Sequence, residues 1–279
     1  MATKCKFSFT DRAAYAGKLF ARMFWIPLPQ PPEAESVHRH HDGYTVTMRR
    51  SEIDFGECVI DYIPKDSEKV VLWKPIKSEN VFVTVVKAAS GTGKSTLLTQ
   101  LYRAIRERLS SPLGFDFDPD LILPEDVAIA FLPQKAPIVR HWKVKHMIPR
   151  ESTFLQGLLP QEEDSERLFK RLSQFSGGQH MRLYASSALE QLSTSTAHAA
   201  FLLLDETFDG IGGEEDVAQA IETIRNVWCK EVPQKSLHVM LVSHKQLGEG
   251  RLSIPNSVSL VMDVTSRKKN RIEVQMENQ

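Results

Sequence analysis

The feature that most constrains the fold of this chain is a glycine-rich turn between an apolar run and a helix-like segment. The apolar run covers residues 81–86, and the turn at residues 88–96 has the sequence AASGTGKST. A strand, such a turn and a helix that opens with Lys94 and Ser95 form a cradle for phosphate, because backbone N–H groups point into the turn and the helix N-terminus adds partial positive charge. In this arrangement Lys94 reaches the β- and γ-phosphates and the Ser95 hydroxyl ligates Mg²⁺. The turn therefore predicts a nucleoside triphosphate site in an α/β fold.

Length and composition limit the other possibilities. The 279 residues suit one large α/β domain or two small ones. The formal net charge is zero, which disfavours a large nucleic-acid footprint. No apolar run approaches the roughly 20 residues that cross a bilayer, so we expect no membrane span in this sequence. Three scattered cysteines fit no metal or redox spacing and are expected to be free thiols in a reducing compartment: Cys5, Cys58 and Cys229.

Strand and helix patterns alternate from about residue 44 onward. Apolar runs predict strands at 45–49, 52–62, 81–86, 127–132, 200–204, 238–242, 258–262 and 271–275. Helical periodicity predicts helices at 94–109, 165–174, 178–192 and 214–230. This alternation favours an α/β fold with a mostly parallel sheet. No helix separates the first strands, so we expect them to form an antiparallel flank.

Residues 1–43 are expected to form an N-terminal segment ahead of a domain that covers residues 44–279. Residues 11–26 have the pattern of an amphipathic helix, for which docking on the main domain and contact with a membrane surface or membrane partner are both open. The proline-rich residues 27–32 predict an extended break. His38, His40 and His41 are expected to lie in a solvated linker, and a metal site is the less favoured alternative.

A second chemical signal is an apolar run, residues 201–204, that ends in the two carboxylates Asp205 and Glu206. Successive side chains of a strand point in opposite directions, so the two acids can do different work. We expect Asp205 to hold the Mg²⁺ shell and Glu206 to polarise the attacking water beside the γ-phosphate. The alternative is that both acids cap the next helix, which leaves the uninterrupted apolar run unexplained.

A third signal is the sequence Ser176-Gly177-Gly178-Gln179 at the start of a predicted helix. Ser176 is a suitable N-cap, and the two glycines let a phosphate approach the helix N-terminus. The motif is weak alone. It gains weight from its place in the chain between the phosphate loop and Asp205.

Together the motifs have a recognisable order along the chain: the phosphate loop, Gln134 after a strand, the Ser-Gly-Gly-Gln sequence, Asp-Glu after an apolar strand, and His244 after another strand. This order resembles the nucleotide-binding domain of ABC (ATP-binding cassette) ATPases over about residues 50–265. The resemblance implies a P-loop NTPase core with a mostly parallel sheet, an antiparallel β flank and a small helical subdomain at about residues 135–180. It also implies that the chain binds ATP and Mg²⁺ and hydrolyses ATP.

The resemblance implies a role for each motif. The phosphate loop corresponds to the Walker A motif, in which ATP would contact Gly91, Thr92, Gly93, Lys94, Ser95 and Thr96. The metal would be held by Ser95, Gln134 and Asp205. The catalytic groups would be Lys94, Gln134, Glu206 as the base, and His244 as the switch histidine at the γ-phosphate. An aromatic residue stacked on adenine would be Tyr62, with Phe55 as the alternative.

The resemblance also implies that two such domains face head to tail, as a homodimer or as a heterodimer with another ABC subunit. ATP bound at Lys94 of one subunit would be covered by the signature motif of the other, which is formed by Ser176, Gly177, Gly178 and Gln179. Asp209 would belong to the D-loop, which crosses the dimer interface. ATP would then stabilise the dimer, and hydrolysis would release it.

Several positions depart from the pattern of the family. Ala88 replaces the first glycine of the loop, and Thr207 replaces the usual proline after Asp-Glu. A Ser/Thr-rich stretch at residues 192–197 has the character of an insertion. Gln134 and Ser176 are only 42 positions apart, which is short for the subdomain that grips the membrane part of a transporter.

These features favour an ATP-hydrolysing subunit of an ABC transporter that works with a membrane-spanning permease on another chain, at the cytoplasmic face of a membrane. The alternative is a non-transport ABC ATPase that acts on nucleic acid or on a protein partner, in repair, defence or regulation. Nucleic acid is the less expected partner, since the chain has neither net positive charge nor a long heptad segment. A cassette that only binds nucleotide is disfavoured by the complete set of catalytic residues.

Overall fold

The computed structural model describes residues 46–49, 51–54, 59–65, 69–73, 80–107, 115–117, 127–134, 141–148, 152–160, 167–243, 254, 257–266 and 271–278. The predicted N-terminal helix, the proline-rich stretch and the three histidines of the predicted linker lie outside these residues. So do Cys5, Cys58, Phe55 and His244, while Cys229 is exposed.

The described part of the chain contains alternating strands and helices, among them three elements at residues 69–73, 115–117 and 153–158 that the sequence patterns did not predict. The strands are β1 (Val46–Arg49), β2 (Ser51–Asp54), β3 (Val59–Pro64), β4 (Lys69–Trp73), β5 (Val81–Ala88), β6 (Phe115–Phe117), β7 (Val127–Leu132), β8 (Ala199–Asp205), β9 (Ser236–Val242), β10 (Ser257–Ser266) and β11 (Arg271–Asn278). The α-helices are α1 (Lys94–Glu107), α2 (Thr153–Leu158), α3 (Gly177–Thr194) and α4 (Glu214–Glu231). The single strand predicted at 52–62 corresponds to β2 and β3, which pair with each other.

The strands form one large and one small sheet. The large sheet has eight described strands in the order β2-β3-β11-β10-β5-β9-β8-β7, and the small sheet has the order β4-β1-β6. In the large sheet the antiparallel pairs are β2 with β3 and β10 with β11, and all other neighbours are parallel. The small sheet is antiparallel. The predicted α/β class, with a mostly parallel sheet and an antiparallel flank, is confirmed.

Helices cover both faces of the large sheet. Neighbouring residues of β5 show this directly, since Val85 belongs to the apolar cluster on one face and Val86 to the cluster on the other. On the Val86 face, α1 buries Leu97 and Leu101. On the Val85 face, α4 buries Trp228. Because both faces are covered, the central strands are continuous apolar runs, which is why they were visible in the sequence.

The helix predicted at residues 165–174 is wrong over residues 168–174, which form a turn followed by a short 3-10 helix. Part of the backbone of this segment pairs with residues 142–145. Three bonds make this pairing: Val144 N–H to Lys170 O (3.1 Å), Lys145 N–H to Leu168 O (2.9 Å) and Leu172 N–H to Trp142 O (2.7 Å). Tertiary hydrogen bonds here override a local helical pattern.

Candidate active site

Several of the predicted site residues lie at one edge of the large sheet, where four parallel strands end. The phosphate loop follows β5, Gln134 follows β7, Asp205 ends β8, and Ser243 follows β9. Carboxyl ends of parallel strands meet at the same edge, which is where open α/β sheets bind ligands. The register places Asp205 beside Val242 of β9. The fold therefore gathers residues that are far apart in the sequence.

The phosphate loop is built around two glycines in left-handed backbone conformations. Gly91 has φ 78° and Gly93 has φ 85°, a region that favours glycine. The Lys94 ammonium donates to the carbonyl oxygens of Ala88 and Ala89, each at 3.0 Å. Thr92 closes the loop through a 2.8 Å bond from its hydroxyl to the Ala89 carbonyl. The loop is thus held by its own residues, with the lysine directed across it.

Ala88, which departs from the glycine pattern, is the last residue of β5 and pairs with Met262 of β10. Among the described residues, positive φ angles occur at Gly91, Gly93, Gly212 and Glu206, and not at Ala88. An extended backbone accepts any L-residue, so glycine is not required at this position. The methyl group of Ala88 leaves its carbonyl free to accept from Lys94.

Tyr62 does not have the environment expected for adenine stacking. Its side chain is fully buried in the cluster beneath α1, and its hydroxyl donates to the carbonyl of Gly93 at 3.0 Å. A ring that is 0% exposed offers no face to a base. Burial also raises the pKa of the Tyr62 phenol, so the hydroxyl keeps its proton. The structure therefore corrects the assignment: Tyr62 supports the phosphate loop from below.

A hydroxyl and a carboxylate meet where Mg²⁺ was predicted. Ser95 Oγ donates to Asp205 Oδ1 at 2.9 Å, and Asp205 is 4% exposed. The described residues contain no group of three His, Cys, Asp or Glu side chains that could hold a metal. Mg²⁺ is usually bound by one or two protein oxygen ligands together with substrate phosphates and water. The donor set of Ser95 and Asp205 is therefore of the right kind.

Gln134 and Glu206 also meet, although they come from different strands. The Gln134 amide Nε2 donates to Glu206 Oε2. Glu206 has φ 51°, which is unusual for a residue with a side chain, and its N–H donates to the Val242 carbonyl at 2.9 Å. Strained backbone of this kind persists where its surroundings fix it, and it is concentrated at functional sites. The geometry thus directs the Glu206 carboxylate toward the loop that carries Gln134.

The D-loop follows Glu206 and contacts two other motifs. Asp209 begins a short 3-10 helix, and its carboxylate accepts a hydrogen bond from the Ser243 hydroxyl at the end of β9. At the other side, a Cβ added to Gly178 would lie 3.1 Å from the Gly210 carbonyl oxygen and 3.2 Å from Ile211. The D-loop is therefore packed between the strand that leads to His244 and the start of α3.

The signature motif forms the N-terminus of α3. Ser176 is the N-cap, with its hydroxyl accepting from Gln179 N–H at 3.3 Å while Gln179 Oε1 accepts from Ser176 N–H at 2.8 Å. This reciprocal pair is a capping box. Ser176 and Gly177 are exposed, and a Cβ on Gly177 would meet nothing within 4 Å. The helix N-terminus is therefore open to a ligand or a partner.

Thr207, which the sequence analysis noted only because it replaces the usual proline of the family, makes a hydrogen bond at the site. Thr207 is 1% exposed, and its hydroxyl donates to the Leu132 carbonyl at 3.1 Å. No sequence signal marks this contact, since the two residues are 75 positions apart. Thr96, by contrast, lies at the predicted place in the first turn of α1.

Comparisons with known proteins identify the fold. No family model matches the sequence, and no curated protein is similar to it. A solved model of ribosome-bound archaeal Pelota and ABCE1 is 18% identical, covers 90% of this chain and 37% of that chain, and gives a TM-score of 0.50. The archaeal ribosome recycling factor aABCE1 in complex with the stalk protein aP1 is 18% identical, with coverages of 87% and 41% and a TM-score of 0.50. A bacterial Atm1-family ABC exporter with ATP bound is 14% identical, with coverages of 91% and 42% and a TM-score of 0.51.

The chain spans about two fifths of the length of these solved chains. At such low identity the similarity establishes the fold and not the activity. The chain has the fold of the ABC ATPase nucleotide-binding domain, which was the resemblance drawn from its motifs.

Proposed function

We propose that this chain is an ATP-hydrolysing, Mg²⁺-dependent ABC domain. The observation that carries the proposal is the convergence of one lysine and two side-chain pairs at one sheet edge: Lys94 on the phosphate loop, Ser95 with Asp205, and Gln134 with Glu206. Hydrolysis of a phosphoanhydride needs charge stabilisation, metal ligation and an oriented water, and these groups supply all three.

Binding begins at the loop. The backbone N–H groups around Gly91 and Gly93 and the N-terminus of α1 receive the phosphates, while the Lys94 ammonium exchanges its loop carbonyls for β- and γ-phosphate oxygens. Ser95 and Asp205 would hold Mg²⁺, which would neutralise phosphate charge. The buried position of Asp205 keeps water from competing for its carboxylate.

Catalysis requires Glu206 to orient a water molecule toward the γ-phosphate. Its carboxylate is bonded to Gln134, and its backbone is fixed to β9 through Val242. The Gln134 amide oxygen would help to hold Mg²⁺ while its Nε2 keeps Glu206 oriented, and the Glu206 carboxylate accepts a proton from the attacking water. His244 is proposed to contact the γ-phosphate beside Lys94, as the resemblance implies.

We further propose that the active unit is a dimer with composite sites. Ser176 and Gly177 are exposed at a helix N-terminus, where partial positive charge favours a phosphate. The open space beside Gly177 permits close approach by a second subunit. Gln179 fixes the cap, and Gly178 lies against Gly210 and Ile211 of the D-loop.

Mixing two inactive variants tests this composite site. Lys94→Ala disables the phosphate loop, and Gly177→Asp places a carboxylate against the partner's γ-phosphate without filling occupied space. Each variant alone should be inactive. In a mixed dimer one of the two sites combines an intact loop with an intact signature, so an equal mixture should recover about a quarter of the parental ATPase rate if pairing is random.

Exposed substitutions on α4 are the matched controls. Lys230→Ala and Glu231→Gln lie outside the site and should leave the rate unchanged. A mixture that stays inactive, although both variants bind to the parental chain, contradicts the composite site. A parental chain that does not hydrolyse Mg·ATP contradicts the proposed activity itself.

For the biological role we propose a transporter subunit that drives a separate membrane-spanning partner. Among the described residues, no helix is long and apolar enough to cross a bilayer. Phe169, which is 58% exposed, lies in the segment that the resemblance assigns to partner contact, with Lys145 Nζ 4.8 Å and Lys143 Nζ 5.9 Å from its ring centroid. An exposed aromatic ring beside two cations is suited to a partner surface.

The second candidate is a non-transport ABC ATPase. It is favoured by the similarity in fold to a ribosome recycling factor as well as to an exporter, and by the short stretch between Gln134 and Ser176. Affinity purification of the parental chain from detergent-solubilised membranes discriminates the two. Recovery of a polytopic protein that is lost with Phe169→Ser supports transport, whereas recovery of only soluble partners or nucleic acid supports the alternative.

A further inference from the structure

Thr207 occupies the position directly after Glu206, where the chain leaves β8. Its side chain is buried, and its hydroxyl donates to the carbonyl oxygen of Leu132 at 3.1 Å. Leu132 is the last residue of β7 and pairs with Leu204 of β8. The regular ladder between these strands therefore ends at Leu132 and Leu204, and the Thr207 hydroxyl adds one more tie beyond it.

A second hydrogen bond joins residues that are close in sequence to Leu132 and to Thr207. Gln134, two residues after Leu132, donates its side-chain amide to Glu206, one residue before Thr207. The ends of β7 and β8 are thus joined twice, once through the Thr207 side chain and once through the Gln134 side chain. A shift of the Leu132 carbonyl would carry Gln134 with it, because only Pro133 separates them.

The opposite side of Glu206 is fixed by the backbone. Its N–H donates to Val242 of β9, and its carbonyl accepts from Asp209 N–H at 3.2 Å. Glu206 also holds a φ of 51°, which the surroundings must maintain. Thr207 supplies the constraint toward β7, and it is a side-chain constraint that a single substitution can remove.

Water cannot easily replace the Thr207 bond, since the residue is 1% exposed. Loss of the hydroxyl would leave the Leu132 carbonyl without its donor and allow the two strand ends to separate. Valine has nearly the same shape as threonine but no donor, whereas serine keeps the donor and loses only a methyl group.

We propose that Thr207 is a positioning residue that sets the distance between Gln134 and the Glu206 carboxylate. It does not touch the nucleotide. It acts through the Leu132 carbonyl, so that the amide of Gln134 and the carboxylate of Glu206 meet in a reproducible geometry. The inference rests on the proposed ATPase function and deepens it, because it assigns a chemical purpose to the residue that departs from the usual sequence.

Steady-state kinetics of Mg·ATP hydrolysis with Thr207→Val and Thr207→Ser test the inference. We expect Thr207→Val to lower kcat by about tenfold to a hundredfold with KM changed less than threefold, because misplacement of a catalytic group by a fraction of an ångström affects the reaction more than binding. Thr207→Ser should retain kcat within about threefold. Equal kcat for the parental chain and Thr207→Val overturns the inference.

A double-mutant cycle separates positioning from general stability. In the background of Gln134→Ala, the Thr207→Val substitution should have little further effect on kcat, because the group that it positions is gone. Independent, multiplicative losses would overturn the inference. Should Thr207→Val fail to fold, the comparison of Thr207→Ser with Thr207→Ala carries the same test. An inactive parental chain contradicts the proposed function, whereas an active parental chain with an equally active Thr207→Val contradicts only this inference.

Discussion

The strand edge and the start of α3 differ in how their polar groups are used. At the strand edge, side chains from separate strands contact each other, as in Ser95 with Asp205 and Gln134 with Glu206. At the start of α3, Ser176 and Gln179 bond to each other's backbone, and the helix N-terminus faces outward. The difference teaches that the proposed catalytic half-site is directed into the chain, whereas the proposed phosphate-binding half-site is directed outward.

The largest effect is expected at the strand edge, from Lys94→Ala. Loss of the ammonium removes the charge that stabilises the β- and γ-phosphates, so ATPase activity should fall by more than about a hundredfold and ATP affinity should fall as well. Binding of a fluorescent ATP analogue and phosphate release measure the two losses. Lys230→Ala, at a side chain that is 77% exposed, is the control. Unchanged ATP affinity would mean that the loop is not the nucleotide site.

Glu206→Gln should affect hydrolysis without affecting binding. The amide keeps the shape of the side chain but cannot accept a proton, so kcat should fall by about a hundredfold while ATP still binds. If the outward half-site needs ATP to engage, this variant should also accumulate as a dimer with Mg·ATP, which analytical ultracentrifugation would detect. Parental turnover in the Gln variant would exclude Glu206 as the base.

How much the sequence could predict also differs between regions. The strand edge was predictable because two local patterns mark it: an apolar run followed by the glycine-rich loop with Lys94, and an apolar run followed by Asp205 and Glu206. The burial of Tyr62 under the loop was not predictable, because it depends on pairing between β3 and β11 at the far side of the sheet. The turn at residues 168–174 was missed for the same reason, since its hydrogen-bond partners lie about 25 residues earlier.

Away from both regions, Lys235 joins the C-terminal end of α3 to the start of β9, and its substitution should have a moderate effect on stability. Its ammonium donates to the carbonyls of Leu192 (2.8 Å), Ser193 (3.2 Å) and Ser195 (2.6 Å), which are the last acceptors of the helix. Lys235→Met should lower the free energy of unfolding by about 1–3 kcal/mol, because buried carbonyls lose a charged donor. Urea denaturation measures this, with Lys230→Met as the exposed control.

The contribution of Lys235 to the free energy of unfolding should also depend on pH, in a direction that its pKa determines. Burial lowers the pKa of Lys235 to about 8 from its usual value near 10.5. Between these values the unfolded chain binds more protons than the folded chain, so this lysine makes stability rise with pH. The stability difference between the parental chain and Lys235→Met should therefore grow from pH 8 to pH 10. A difference that shrinks over this range would show that the ammonium is stabilised and not penalised by its site.

The smallest effect is expected where the start of α3 contacts the D-loop, from the pair Gly178→Ala and Gly177→Ala. A Cβ at Gly178 would lie 3.1 Å from the Gly210 carbonyl and 3.2 Å from Ile211, whereas a Cβ at Gly177 would meet nothing within 4 Å. Gly177→Ala should therefore gain about 0.5–1 kcal/mol of stability from reduced backbone entropy. Gly178→Ala should lose that gain and reduce turnover by a few-fold, because the D-loop must move away from α3. Thermal unfolding and ATPase rates of both variants measure the difference. Equal stability and equal ATPase rates of the two variants would mean that the D-loop accommodates a methyl group at Gly178 at no cost. The contact at Gly178 would then not couple the two proposed half-sites.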